Sequence, residues 1–353
     1  MTPEDFFKSP PGGIALGIPG HSGVADYLRR HGVLAADESI TAISKAGDGN
    51  MNCVLRVQTT RQSLILKQSR PWVEKYPQFA APWDRACREM EFYRRTQGVP
   101  RLAAYLPRLL LGDPEARILV LSDLGDRGDY SDIYRVVPFL ETDVDPIAEF
   151  LTVLHRECPA PGATDPGLPN REMRELNHAH IFQIPLQPNN GLDLDKIDPG
   201  LQAAADILKR DATLVSAVER LGRDIYLTDG PCLLHGDFFP GSLVRTPAGP
   251  RVIDPEFCFF GRPEYDVAVF SAHLILARQP KELLTRFRTN YGPPTALDDR
   301  VVTRLAGCEI LRRIIGYAQL PILCPGGARA KLLERSRSMI LSGDPEDLLA
   351  PDL

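Results

Sequence analysis

The 353-residue chain has no CxxC spacing, no GK[ST] tripeptide, no internal repeat and no long uncharged apolar run, and each absence closes off a class of protein. Its seven cysteines, at 53, 87, 158, 232, 258, 308 and 324, are odd in number and scattered. That spacing offers neither a disulfide framework nor a structural zinc site and implies a reducing compartment. Without GK[ST] a P-loop enzyme is not expected. The longest apolar stretch, residues 267–277, is too short to span a bilayer and contains His273. The opening MTPEDFFKSPPGG is acidic where a signal peptide would be basic, so a cytoplasmic location is expected. A net charge of −5 and a pI near 5.9 argue against nucleic acid or a membrane surface as partner, while leaving room for small anionic ligands. With 43% hydrophobic and 25% charged residues, the composition is that of a globular protein long enough for two lobes.

What is present centres on residues 233–266, LLHGDFFPGSLVRTPAGPRVIDPEFCFFGRPEYD. Short strands at 242–245 and 251–253, joined by the turn 247–250, read as a hairpin. Asp237 precedes it, Ser242 stands at its entry and Asp254 at its exit, so all three can face one small volume. A carboxylate for a hydroxyl proton, beside oxygen ligands for magnesium on ATP, is what phosphoryl transfer by the kinase plan requires.

Upstream, residues 1–20 are rich in proline and glycine and read as a lightly packed arm, and 25–31 as a short helix. The turn GDGNMN at 47–52 leads into a strand at 53–57 and, after a polar reversal at 58–62, a second strand at 64–67. Side chains alternate there, so Lys67 shares a face with Ile65 and can reach beneath the glycine turn. Residues 83–96 carry apolar positions at helical spacing and bring Glu89 and Glu91 towards the sheet. One of them is expected to pair with Lys67, Glu89 being favoured and Glu91 held in reserve. The run 118–121 reads as a buried strand entering a connection at 122–125, where main-chain groups of Ser122, Asp123 and Leu124 would meet an adenine ring. Helices are expected at 146–157, 201–221, 265–278 and 300–320, the last carrying Arg312 and Arg313. Adjacent helical residues diverge by about 100°, so both arginines reach one anion only at a helix end or loop. His155 reads as structural, and His178 and His180 lack the companions a metal site needs.

The ordered set GDGNMN (47–52), LKQ (66–68), HGD (235–237), GS (241–242), VIDPEFCFFG (252–261) and LRRIIG (311–316) resembles the aminoglycoside phosphotransferase and choline kinase superfamily, and within it the 5-methylthioribose kinases. The resemblance implies an α+β, bilobal protein-kinase-like fold. It has an N-terminal arm and nucleotide-binding lobe over 1–121, with an antiparallel sheet and a helix, and a hinge at 122–126. A larger, mainly helical lobe over 127–353 carries the catalytic hairpin and acceptor site. It further implies Asp237 as catalytic base; Asp254, Glu256 and Ser242 as Mg2+ ligands; Gly47, Asp48, Gly49, Asn50 and Lys67 on the ATP phosphates; and Arg312 and Arg313 on substrate or transferring phosphate. Asp266 would brace the catalytic loop, and a homodimer is implied.

Where methylthioribose kinases typically read HGDLHTGS, this chain reads HGDFFPGS, which sets Phe238, Phe239 and Pro240 beside the expected acceptor pocket. The segment after LKQ is also longer than in that family. Three readings follow: an ATP-dependent kinase of methylthioribose or a related sugar; a kinase of another small alcohol such as choline, homoserine or an aminoglycoside; and a non-catalytic nucleotide-binding protein. An apolar wall of Phe238 and Phe239 beside Asp237 suits a sugar with a thioether or alkyl group better than a polycation.

Overall fold

The computed structural model describes residues 2–17, 23–47, 49, 51–135, 137–162, 167–323 and 326–350. The chain divides into two compact units: Met1–Gly128 with Arg251–Glu256, and Asp129–Pro250 with Phe257–Leu353.

In the first unit, helices α1 (Pro3–Lys8) and α2 (Val24–Arg30) precede strands β1 (Ile40–Lys45), β2 (Cys53–Thr59) and β3 (Ser63–Gln68). A small hairpin follows, β4 (Trp72–Val73) and β5 (Tyr76–Ala80), then helices α3 (Arg85–Gln97) and α4 (Pro100–Ala103) and strands β6 (Leu109–Asp113) and β7 (Ile118–Ser122). The main sheet has order β1-β2-β3-β7-β6 and is antiparallel throughout. Alternation decides its faces: Leu64 and Leu66 are fully buried in the core with Leu55, Val57 and Val120, while Lys67 lies on the opposite face.

The N-terminal arm is a correction, for it is fastened and not lightly packed. Phe6 is fully buried against Trp72, ring centroids 5.3 Å apart. Gln68 ends β3 in the interior, and its buried amide must find partners. The arm supplies them: Gln68 Oε1 accepts from Leu16 N at 2.8 Å and Nε2 donates to Ile14 O at 3.1 Å.

The second unit is mainly helical. Helices α5 (Glu141–Glu157), α6 (Arg171–His178), α7 (Leu201–Arg210) and α8 (Ala212–Arg220) lead to strands β8 (Cys232–Leu234), β9 (Leu243–Thr246), β10 (Gly249–Val252), within which the chain passes at Arg251 into the first unit, and β11 (Phe259–Gly261). Helices α9 (Glu264–Leu276), α10 (Lys281–Asn290), α11 (Asp299–Ile315), α12 (Ala328–Ser342) and α13 (Glu346–Leu349) complete it. Every residue of α9 is buried, and α11 packs against α9 and α12. β8 pairs with β11.

Three helices differ from the sequence reading. The one expected over 146–157 begins earlier, at Glu141, and takes Pro146 into its body. Residues 201–221 form α7 and α8 because Asp211 stops the first and caps the second, accepting from Thr213 N and Leu214 N. α11 ends at Ile315, before Gly316, so Arg312 and Arg313 lie in its final turn.

Candidate active site

In the first unit, β3 carries Lys67 to a meeting point with α3 and the turn after β10. Lys67 Nζ lies 2.6 Å from Glu89 Oε2 and 2.5 Å from Asp254 Oδ1. Glu91 faces elsewhere, pairing with Arg95 at 2.8 Å one helical turn on. Burial opposes the charge on Lys67, but Asp254, Glu89 and Glu256 outweigh it and hold the ammonium protonated. Burial pushes the Glu89 carboxyl up to about 7 against the pull of Lys67. Asp254 adopts a left-handed backbone, φ 60°, and its side chain is half exposed. That conformation is costly for a residue with a Cβ and is the kind of local strain found at ligand-holding turns.

Glu256 is engaged by side chains to which the sequence reading gave no role. Asn52 Nδ2 donates to Glu256 Oε2 at 2.7 Å, and Arg85 Nε lies 3.6 Å from the same oxygen. Arg85 is enclosed, and burial lowers its pKa against the pull of Glu256 and Glu89. In the sequence it is simply the residue one helical turn before Glu89. Of the glycine turn, Gly47, φ 69°, and Gly49 are exposed; Asp48 and Asn50 lie outside the described residues.

At the end of β7 the connection is braced. Asp123 receives both Nε and Nη2 of Arg56, at 2.7 and 3.1 Å, and Ser63 Oγ at 2.6 Å, so its carboxylate is structural. Ser122 N donates to Arg108 O, Asp123 N to Ser63 O and Gly125 N to Asp123 Oδ1. Of these four residues, Leu124 alone keeps an amide N–H without a partner among the described residues.

In the second unit, the turn between β8 and β9 carries Asp237. Gly236, φ 85°, permits it: a Cβ there would stand 2.1 Å from Phe257 O. Asp266 receives the amides of His235 and Gly236 at 2.7 and 3.0 Å and so braces the turn. Ser242 Oγ donates to Asp237 O at 2.9 Å. Because α11 ends just beyond them, both arginines point to one anion, Arg312 Nη1 and Arg313 Nη2 lying 3.4 and 3.5 Å from Asp237 Oδ1.

Behind the arginines sits Glu309, which the sequence reading missed. Its carboxylate takes Arg313 Nε at 2.6 Å and Arg312 Nη1 at 3.3 Å. Burial alone would raise its pKa, but the two arginines hold it well below the usual carboxylate range. His273 Nε2 lies 3.0 Å from Glu309 Oε1, and Tyr134 Oη 2.5 Å from His273 Nδ1. Burial lowers the His273 pKa to about 4, so the ring is neutral at physiological pH. A carboxylate at Nε2 requires the proton there, leaving Nδ1 to accept from Tyr134. An E-x-x-R-R spacing at 309–313 was the available signal, since i, i+3 and i, i+4 share a helix face.

The two phenylalanines after Asp237 part company. Phe238 is fully buried and stacks on Phe150, centroids 5.6 Å apart, so it belongs to the core and not to an acceptor wall. Phe239 is half-buried, with the Arg313 guanidinium 4.8 Å above its ring. Gly241 makes room for it, since a Cβ there would come within 2.5 Å of the ring.

A lone-amide connection, a buried lysine–glutamate pair on an antiparallel sheet and an aspartate turn in a helical unit define a protein-kinase-like enzyme. The crystal structure of choline kinase from Cryptosporidium parvum has the same fold, with a TM-score of 0.52 at 13% identity, covering 92% of this chain and 95% of the other. The chain belongs to the phosphotransferase enzyme family, whose pattern it matches over residues 42–303, and it is an ATP-dependent small-molecule kinase. It is 28% identical to a methylthioribose kinase of Exiguobacterium sibiricum, with 88% of each chain covered. It is 27% identical to one of Geobacillus thermodenitrificans, with 78% of each covered. Among the described residues no helix is long and apolar enough to cross a membrane.

Proposed function

We propose that this kinase transfers the γ-phosphoryl group of ATP, carried with Mg2+, to a hydroxyl of 5-methylthioribose or a closely related sugar bearing an apolar substituent. The observation that carries the reading is the surround of Asp237. A base, two arginines and the aromatic face of Phe239 converge there, so a hydroxyl, a developing phosphate charge and an apolar group each have a counterpart. The two bacterial relatives named methylthioribose kinases support the same acceptor.

Asp237 accepts the acceptor's hydroxyl proton as the new O–P bond forms. Arg312 and Arg313 steady the phosphoryl oxygens; Glu309 keeps both aimed. Lys67, oriented by Glu89, meets the ATP phosphates together with the main chain at Gly47 and Gly49. The Leu124 amide donates to the adenine ring. Among the described residues no three His, Cys, Asp or Glu side chains gather as a metal site. Mg2+ needs no such cage: one or two carboxylates with phosphate oxygens hold it, and the carboxylates of Asp254 and Glu256 in the first unit suit this hard cation. Bound there it would neutralise charge on the phosphates.

The test is ATP consumption with methylthioribose, other free pentoses, choline, homoserine and aminoglycosides. Selective turnover of methylthioribose is expected. Turnover of choline or homoserine alone would replace the acceptor, and efficient turnover of aminoglycosides would overturn the argument from Phe239.

A further inference from the structure

Arg85 is the largest fully buried side chain described, and its guanidinium ties three separate stretches of the first unit together. It donates to Asn52 Oδ1 at 2.9 Å, Met51 O at 2.7 Å, Arg70 O at 2.8 Å and Pro82 O at 2.7 Å. Those stretches are the end of the glycine turn, the chain just beyond β3 and the approach to α3. Three of the four bonds go to backbone oxygens and are structural. The fourth goes to Asn52, whose amide passes the connection on to Glu256 at 2.7 Å.

Chemistry fixes the orientation of that amide. A guanidinium can only donate and an ionised carboxylate can only accept, so Oδ1 must face Arg85 and Nδ2 must face Glu256. Asparagine presents both functions across one short planar group. Aspartate would oppose a like charge to Glu256, and an apolar residue would strand both partners in a site where Asn52 is nine-tenths buried. Without Asn52, Arg85 Nε, already 3.6 Å from Glu256 Oε2, draws the carboxylate in.

We infer that Asn52 is a positioning residue for the cation that accompanies the nucleotide: it holds Glu256 off Arg85 and directed alongside Asp254, coupling the end of the glycine turn to the metal side of the site. This rests on the proposed role of Asp254 and Glu256 as Mg2+ ligands. Outer-sphere partners of this kind change metal affinity by roughly 10- to 100-fold, and Asn52 contributes through Glu256 and not through the phosphates.

The experiment is calorimetric titration of a non-hydrolysable ATP analogue into wild type, Asn52→Ala and Asn52→Ser, each with excess Mg2+ and each in EDTA, alongside thermal melts. Asn52→Ala is expected to bind the metal-free analogue like wild type and the magnesium form about ten-fold or more weakly. Asn52→Ser, which keeps the three backbone bonds of Arg85 and is less disruptive, should show the same selective loss. Equal affinity of variant and wild type in Mg2+, or an equal loss in Mg2+ and EDTA, overturns the inference, the latter assigning Asn52 to the glycine turn alone. Asp254→Asn separates the two levels. If wild type responds to Mg2+ and Asp254→Asn does not, the metal reading stands and the Asn52 result is decided on its own. If wild type shows no Mg2+ response, the metal reading falls and this inference with it.

Discussion

Replacing Glu309 by glutamine removes the negative charge from between two guanidinium groups. Glu309, Arg312 and Arg313 are 1%, 6% and 5% exposed, so water cannot make good the loss. The carboxylate accepts from Arg313 at 2.6 Å and Arg312 at 3.3 Å and faces His273 at 3.0 Å. Breaking a buried ionic cluster by deleting one partner costs about 3–5 kcal/mol; the glutamine oxygen can still accept from Arg313, which places the expected loss at the lower end. Urea unfolding of wild type and Glu309→Gln measures it. The double variant Glu309→Gln/Arg313→Met should lose less than the two single losses added, because it removes an uncompensated cation. Turnover should fall as well, since both arginines then lean on Asp237, whose Oδ1 they already approach. A stability loss under about 1 kcal/mol, or strictly additive losses in the double variant, would refute the view of Glu309 as the charge that organises the pair.

Asp237→Ala should lower turnover of the true acceptor by roughly 10²- to 10⁴-fold, the range for a general base, while nucleotide affinity measured by titration stays near wild type; equal turnover would reject the assignment. Phe238→Ala deletes a fully buried ring packed on Phe150 and Phe270 and should cost about 3–5 kcal/mol in denaturant unfolding. A loss below about 1 kcal/mol would mean that Phe238 is not in the core. The pH prediction concerns His273, whose folded pKa of about 4 lies below its ordinary 6.5. Its contribution is therefore full above pH 6.5 and is lost as pH falls towards 4, by about 1.4 kcal/mol per unit, because the unfolded imidazole takes up a proton that the folded one refuses. A His273→Gln variant should show a shallower acid slope in that window, and an unchanged slope would count against it.

Much of the chemistry was legible along the chain because its parts are local. HGD before a hairpin, DPE after it and a lysine on an alternating strand are patterns within a few residues; they point to the kinase class, and the family they resemble implies the α+β fold. The choice between Glu89 and Glu91 was settled by packing, which sets Glu89 against Lys67 and Glu91 against Arg95. What the tertiary structure alone decided were partners far apart in sequence. Nothing near Asn52 indicates that its amide meets Glu256, 204 positions away, or that Arg85 will be enclosed. Phe238 and Phe239 are neighbours of one type, and burial alone separates the core ring from the one under Arg313. Gln68 holds the N-terminal arm because a buried amide takes whichever backbone groups reach it. Periodicity reports which face of an element is apolar; the pairing of buried polar groups is settled only when distant segments pack and each donor must find its acceptor.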